Sequence, residues 1–453
     1  MQITPDIIAA IATPPGRGGV GIIRISGKNL KLLTQTILGK QPKPRVAQFS
    51  QFLDTDGQVI DQGIALYFPA PHSYTGEDVL ELQGHGGPAI MNLLLNQCLE
   101  RGARLAEPGE FTLRAYLNNK IDLVQAESVI NIIEASTSEA ARCAVRSLQG
   151  VFSRTIDELV ELLTTLRMFI EAMLDFPEEE IEGLYTSEIT EKLQTITTRL
   201  DRVLLSAKQG HLLQEGIKVV LIGEPNVGKS SLLNQLAEAD VAIVTDIPGT
   251  TRDSIQKTIT IAGIPIHVID TAGLRETVDI VEQKGIERTQ AAVKDADILI
   301  HLIDSSRQLA ADIKEDILSA FSINKPHITI FNKIDLCDKS PRIETHNSHI
   351  EVYLSAKTGA GMDLLREQIL KAVGWQTNRT EEGLFMARQR HLESLHAAKE
   401  HLDTAKAYCD SESSWELLAE ELRMAQDALS SITGRVTADD LLGKIFSEFC
   451  IGK

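Results

Sequence analysis

The feature that most restricts the fold of this chain is Gly223-Glu-Pro-Asn-Val-Gly-Lys-Ser230, set directly after Lys218–Ile222 and before a helix-forming run. Lys218–Ile222 reads as a buried strand, and G-x-x-x-x-G-K-S between a strand and a helix is a phosphate-binding loop. The residue types follow from the chemistry. Glycines let the backbone wrap a polyphosphate, and N–H groups at the helix start face its negative charge. Lys229 reaches the outer phosphates, and the Ser230 hydroxyl is a Mg2+ ligand. At ordinary residue frequencies, on the order of 0.02 such matches would arise by chance in a chain of this length.

Three further segments extend the site. His267-Val-Ile-Asp270-Thr271-Ala272-Gly273 ends an apolar strand with an aspartate that would hold Mg2+ through its water shell and a glycine N–H that would sense the γ-phosphate. Thr329–Phe331 is a strand leading into Asn332-Lys333-Ile334-Asp335. The Asp335 carboxylate can accept both the N1–H and the exocyclic amine of guanine. Adenine offers neither, and a wrong base would leave a buried charge unpaired. Ser355-Ala356-Lys357 follows a fourth strand and would give backbone N–H groups to the guanine oxygen. Four elements in this order specify a guanine nucleotide.

Around this alternating β/α pattern, which runs from about Ile217 to Lys371, the texture changes twice. Residues up to about 120 mix strands with helices: a strand at Gly19–Ser26, a helix at Lys28–Leu38, and a turn at Asp56-Gly57 before a strand at Ile64–Phe68. A strand at Val79–Leu82 leads into a flexible Gly-rich loop at 84–87, a helix from Pro88 to Arg101 and a short strand at Arg104. From Leu123 the period becomes helical. Phe152, Ile156, Leu159, Leu163, Leu166, Ile170 and Met173 form one stripe, and a second helix through Ile189 and Leu204 ends near Gly210. Helical spacing returns after Thr380, and Thr437 caps a last helix through Leu441, Ile445 and Phe449. The expected domains are therefore an α+β domain at 1–119, a helical domain split into 120–215 and 380–453, and an inserted P-loop domain at 216–379. Two separate helical domains are the alternative.

Charge and cysteine usage narrow the function. Lys+Arg 45 against Asp+Glu 63 gives −18, which argues against gripping nucleic acid by bulk charge. Five scattered cysteines without a C-x-x-C pair suit a reducing compartment. No apolar run approaches the ~20 residues that span a bilayer, and the first residues lack the basic region of a signal peptide. A soluble cytoplasmic protein is expected.

The phosphate loop, Thr245-Asp246-Ile247-Pro248-Gly249-Thr250-Thr251-Arg252-Asp253 and the ending Phe449-Cys450-Ile-Gly-Lys453 resemble those of the MnmE (TrmE) family of tRNA-modification GTPases, among the TrmE-Era-EngA-like P-loop GTPases. The resemblance covers all three domains. It implies a GTP site made of Asn226, Val227, Gly228, Lys229, Ser230 and Ser231, of residues 245–251, of Asp270 to Gly273, and of the base-recognition residues named above. It also implies hydrolysis without the glutamine of Ras-like enzymes, whose place Leu274 takes. Arg252 and Arg275 are candidate arginine fingers, but nothing selects between them. In the family the missing positive charge is K+, held here by Asn226, Thr245, Ile247 and Thr250. Mg2+ would rest on Ser230 and Thr251, and Glu282 would orient the attacking water. Pro248 departs from the family's usual alanine but keeps a carbonyl.

The same resemblance implies that the first domain dimerises and binds a tetrahydrofolate derivative, in the 5-formyl or 5,10-methylene form, through Arg24, Glu81, Lys120 and Lys453. For Cys450 a tail thiol near the one-carbon unit and a catalytic thiolate both stand open. The implied function joins a homodimer to the flavoprotein MnmG (GidA), which carries FAD, in a heterotetramer. Together they add a carboxymethylaminomethyl or aminomethyl group to carbon 5 of a wobble uridine, with tRNA held mainly by the partner. A ribosome-assembly GTPase and a folate-dependent transferase carrying a GTPase are the rival readings.

Overall fold

In the computed structural model the described residues are 6–175, 182–238, 256–270, 293–307, 325–337, 339–346, 349–376, 383–409, 414–435, 439–447 and 449–452. The first elements in chain order are β1 (Ile7–Ile11), β2 (Gly18–Gly27), α1 (Lys31–Leu38), β3 (Gln48–Leu53), β4 (Val59–Phe68), β5 (Asp78–Gly86), α2 (Pro88–Glu100), β6 (Ala103–Leu105) and α3 (Glu110–Leu117). Four helices follow: α4 (Leu123–Glu134), α5 (Ser138–Leu148), α6 (Val151–Asp175) and α7 (Glu182–Glu215). Then come β7 (Ile217–Gly223), α8 (Lys229–Glu238), β8 (Gln256–Ile261), β9 (Ile264–Asp270), β10 (Ile298–Asp304), β11 (His327–Asn332), β12 (Arg342–His346) and β13 (His349–Tyr353). The chain continues with α9 (Met362–Ala372), α10 (Gln389–Tyr408), α11 (Trp415–Thr433) and α12 (Asp439–Ser447).

Two compact units result. One gathers Met1–Ile130, Ser147–Thr197 and Ala397–Lys453; the other gathers Asn131–Arg146 and Thr198–His396. In the first, six strands form a sheet in the order β3-β4-β5-β2-β1-β6, antiparallel except where β1 meets β6. The period of two puts Ile23, Ile25, Leu80 and Leu82 into a core with Phe52, Leu33 and Leu94. It turns Arg24 and Glu81, which are register partners, to the opposite face. Residues 84–86 belong to β5 and are not the flexible loop expected from their glycines. A Cβ on Gly86 would lie 2.7 Å from the Val20 carbonyl oxygen, so glycine there permits close strand contact.

The helical part follows its period. Phe152, Ile156, Leu159, Leu163, Leu166 and Ile170 of α6 are buried, and α6 packs against α11. The last helix stops at Ser447, short of Phe449. Phe449 is buried all the same, beside Leu123, Ala126 and Phe446. Thr437 lies outside the described residues.

The second unit holds a seven-stranded sheet in the order β12-β13-β11-β10-β7-β9-β8. Its five inner strands run parallel, and β8 and β12 are antiparallel edges. Parallel strands covered on both faces need continuous apolar runs, and all seven residues of β10 are buried. Asp270 pairs Leu221, Gly223 pairs Leu302, and Asn332 pairs Asp304, so β9 ends two residues before β7, β7 two before β10, and β10 level with β11. Helix α7 does not end near Gly210 but continues to Glu215. A Cβ on Gly210 would lie 1.8 Å from the Phe385 carbonyl oxygen, so this glycine admits a neighbouring segment rather than stopping the helix.

Candidate functional site

The phosphate loop leaves the end of β7, turns through two residues of positive φ, Asn226 (63°) and Gly228 (102°), and enters α8 at Lys229. A glycine is required at 228, because a Cβ would sit 2.3 Å from Asn332 Nδ2 as well as in the left-handed region. Lys229 is buried, and its Nζ donates to the carbonyls of Gly223 (2.7 Å) and Glu224 (3.0 Å), which holds the ammonium over the loop. Ser230 and Ser231 are exposed in the first turn of α8, where free N–H groups and the helix dipole favour an anion. Val227 is buried beneath the loop.

Asn332 joins three loops. Its Nδ2 donates to the Val227 carbonyl (2.7 Å), and its Oδ1 accepts from the Ala356 N–H (2.8 Å). Lys333, itself at φ 66°, donates from Nζ to the Asn226 carbonyl (2.8 Å) and to Asp304 Oδ2 (2.7 Å). Ser355 Oγ donates to Asp335 Oδ1 (2.6 Å) and so fixes the turn of that exposed carboxylate. Lys357 is exposed beside it. The structure thus brings together Asn226 to Ser231, Asn332, Lys333, Asp335, Ser355, Ala356 and Lys357. The Ala356 N–H is already given to Asn332, so a guanine oxygen must share it or take the N–H of Lys357.

Asp304 was not singled out by its sequence. Burial raises its pKa, but the bonds from Lys333 and Ser306 outweigh this and hold its carboxyl below the usual range. The signal was present: an aliphatic strand otherwise broken only by His301 ends in a carboxylate, and a buried carboxylate demands a partner.

Thr245, Asp246, Ile247, Pro248, Gly249, Thr250, Thr251, Thr271, Ala272, Gly273 and Glu282 lie outside the described residues, as does Lys453. The backbone of Asp270 is described and pairs with Leu221 beside the phosphate loop.

On the first unit, Arg24 Nε donates to Glu81 Oε1 (3.0 Å), and its guanidinium lies 5.6 Å from the Tyr74 ring centroid and 5.8 Å from that of Phe111. The chain near residue 450 comes to the same place. Ile451 bridges to Pro108, the Cys450 carbonyl accepts from the Gly109 N–H (3.5 Å), and Arg24 Nη1 donates to the Gly452 carbonyl (3.3 Å). Cys450 itself is exposed. Lys120 donates to the Pro71 carbonyl (3.0 Å) and lines a cavity of about 500 Å³ with Tyr116, Asp122, Asp157 and Arg435.

A buried ion network in the same unit escaped sequence reasoning. Arg114, fully buried, bonds Glu77 (2.9 Å), Glu110 (2.8 Å) and Asp6 (2.7 Å), and Arg104 joins Glu110 and Asp6. Burial works against ionisation of Asp6 and Glu110, yet the arginine bonds prevail and keep both carboxyls below their ordinary range. On the second unit, Glu344, His346 and Glu351 bring ligand atoms within 4.8 Å of one another. Arg342 and Tyr353 already bond these carboxylates, which leaves them poorly suited to a metal.

Comparison with known proteins agrees with this arrangement. The profile described as MnmE helical domain matches residues 123–450, enclosing the seven-stranded sheet within it. The profile described as GTP-binding protein TrmE N-terminus matches residues 7–120. The tRNA modification GTPase MnmE of Nitrosomonas europaea is 62% identical over 448 residues, 99% of each chain. That of Nitrosomonas eutropha is 61% identical over 450 residues, 99% of each chain. That of Chromobacterium violaceum is 52% identical over 457 residues and the whole of both. With profiles matched over residues 7–120 and 123–450 and relatives more than 50% identical along the whole chain, the chain belongs to the MnmE (TrmE) family of tRNA modification GTPases.

Proposed function

We propose that this protein hydrolyses GTP to GDP and phosphate with K+ and Mg2+. The hydrolysis would serve addition of a carboxymethylaminomethyl or aminomethyl group to carbon 5 of the wobble uridine of certain tRNAs, in partnership with the flavoprotein MnmG (GidA). The observation that carries the reading is the Asn332 junction, which fixes the phosphate loop, the guanine-reading loop and the Ser355 loop against one another. Such rigidity lets binding geometry be set before the nucleotide arrives.

Each residue has a physical task. Lys229 and the N–H groups at the start of α8 neutralise the phosphates, and Asp335, oriented by Ser355, selects guanine. Ser230, with Thr251 and Asp270, would hold Mg2+. Asn226, exposed in its left-handed turn, presents a neutral amide of the kind that a monovalent cation requires. K+ held there with Thr245, Ile247 and Thr250 would supply the positive charge that Leu274 leaves out. Glu282 would orient the attacking water.

For the first unit, the paired Arg24 and Glu81, with the Arg24 guanidinium near the Tyr74 and Phe111 rings, suit a tetrahydrofolate, 5-formyl or 5,10-methylene. The carboxylate suits an amino–amide edge and a guanidinium suits a carboxylate tail. Lys120 and Lys453 would contribute charge, and Cys450 would lie near the one-carbon unit. Homodimerisation through this domain, FAD carried by the partner and a cytoplasmic location complete the reading. No helix among the described residues is long and apolar enough to cross a membrane. The −18 charge suits tRNA held mainly by the partner.

Two measurements test this. GTP hydrolysis should be fast in KCl and sharply slower in NaCl; equal rates would remove the cation. Nucleosides of tRNA from a deletion strain should lack the wobble modification, and an unchanged profile would favour a ribosome-assembly GTPase or a folate transferase.

A further inference from the structure

Strand β10 is buried throughout, and its final residue is a carboxylate with a side chain only 5% exposed. Asp304 accepts from Lys333 Nζ (2.7 Å), from the Ser306 N–H (3.0 Å) and from Ser306 Oγ (2.6 Å). The Lys333 ammonium is thereby held where it also meets the Asn226 carbonyl at 2.8 Å. Lys333 and Asn226 are both non-glycine residues at positive φ, a conformation that needs support from its surroundings. The same oxygen, Asp304 Oδ2, lies 3.9 Å from Arg307 Nε, and Arg307 bonds Glu224 Oε2 at 2.9 Å. The carboxylate therefore stands in the middle of a chain of contacts, Glu224–Arg307–Asp304–Lys333–Asn226. That chain grips the phosphate loop at two points and ties it to the loop bearing Asp335.

We propose that Asp304 is a positioning residue that, by fixing Lys333, makes the guanine-reading loop and Asn226 move as one, so that base retention and cation affinity depend on each other. The inference rests on the nucleotide-site reading given above. A turn-stabilising role would need only the Ser306 contacts and would leave Lys333 and Asn226 indifferent to the charge.

The test uses the full-length protein and release of a fluorescent N-methylanthraniloyl-GDP chased with excess GTP. Asp304→Asn should speed release about tenfold, the scale of one charge-assisted hydrogen bond. It should also raise the half-saturating K+ several-fold. Asp304→Glu, which keeps the charge, should recover part of both shifts. On a Lys333→Met background Asp304→Asn should add nothing, because the two act through one contact. Because that double variant buries neither charge alone, its release rate, read against those of the wild type and the charge-keeping Asp304→Glu, still decides the assignment if a single neutralising variant fails to fold. Wild-type release from Asp304→Asn, or additive effects in the cycle, would overturn the assignment. A wild-type protein that binds no guanine nucleotide would instead overturn the reading on which it rests.

Discussion

One oxygen of Asp335 is oriented by Ser355 at 2.6 Å, so the carboxylate would meet a base in one fixed pose under the proposed function. Asp335→Asn places an amide N–H where guanine also offers hydrogens. GTP affinity should fall by about a hundredfold or more, roughly 3 kcal/mol. Xanthosine triphosphate, with a carbonyl at the same ring position, should gain; competition binding reads both, and an unchanged preference for GTP would contradict the role. Asp335 and Lys229 could be proposed from the sequence because nucleotide chemistry dictates the residue types and their distance from a strand end, and the structure places both shortly after strand ends. Asp304 and Arg114 were not, since each works through a partner far along the chain, Lys333 at 29 residues and Glu77 at 37. Side chains that support other side chains carry no local signature.

At the level of elements, the two misread segments share a cause. Gly86 and Gly210 read as punctuation in the sequence, yet each lies inside a regular element and makes room for a distant backbone. Gly210→Ala tests the point. Helix propensity alone would gain about 1 kcal/mol, but a Cβ at 1.8 Å from the Phe385 oxygen should instead destabilise by about 1–3 kcal/mol. Thermal melting decides, and a raised midpoint would show that the neighbouring segment gives way freely. The strands of the second unit make a separate prediction. Burial depresses the pKa of His267, His301 and His327, so each is held neutral in the folded chain. Unfolded histidines take up protons near 6.5. Stability from these three is complete above that pH and is lost as the pH falls through it. The unfolding midpoint should drop between about pH 7 and about pH 5.5, before Asp6 and Glu110, both held low by their arginines, take up protons. A flat midpoint across that interval would show that these imidazoles protonate without cost.

Across the whole molecule, the order of domains was readable because period-two, period-3.6 and β/α patterns succeed one another without overlap. The placement of residues 449–452 against the first sheet was implied only by the family resemblance and not by any pattern in the residues, because it depends on contacts far apart along the chain. Gly452→Ala should dislodge this segment, since φ is 101° and a Cβ would stand 2.4 Å from the Ile11 oxygen. Calorimetry should then show 5-formyl-tetrahydrofolate bound roughly tenfold more weakly, with GTP hydrolysis unchanged. Intact folate affinity would detach the segment from that site. The contact also orders events during biosynthesis. Arg24 and Gly452 are separated by 428 positions, so at ~5–20 residues per second the early sheet waits on the order of half a minute for its last wall. A polypeptide released ahead of that moment would carry the early sheet with Arg24 lacking the carbonyl it meets in the full chain.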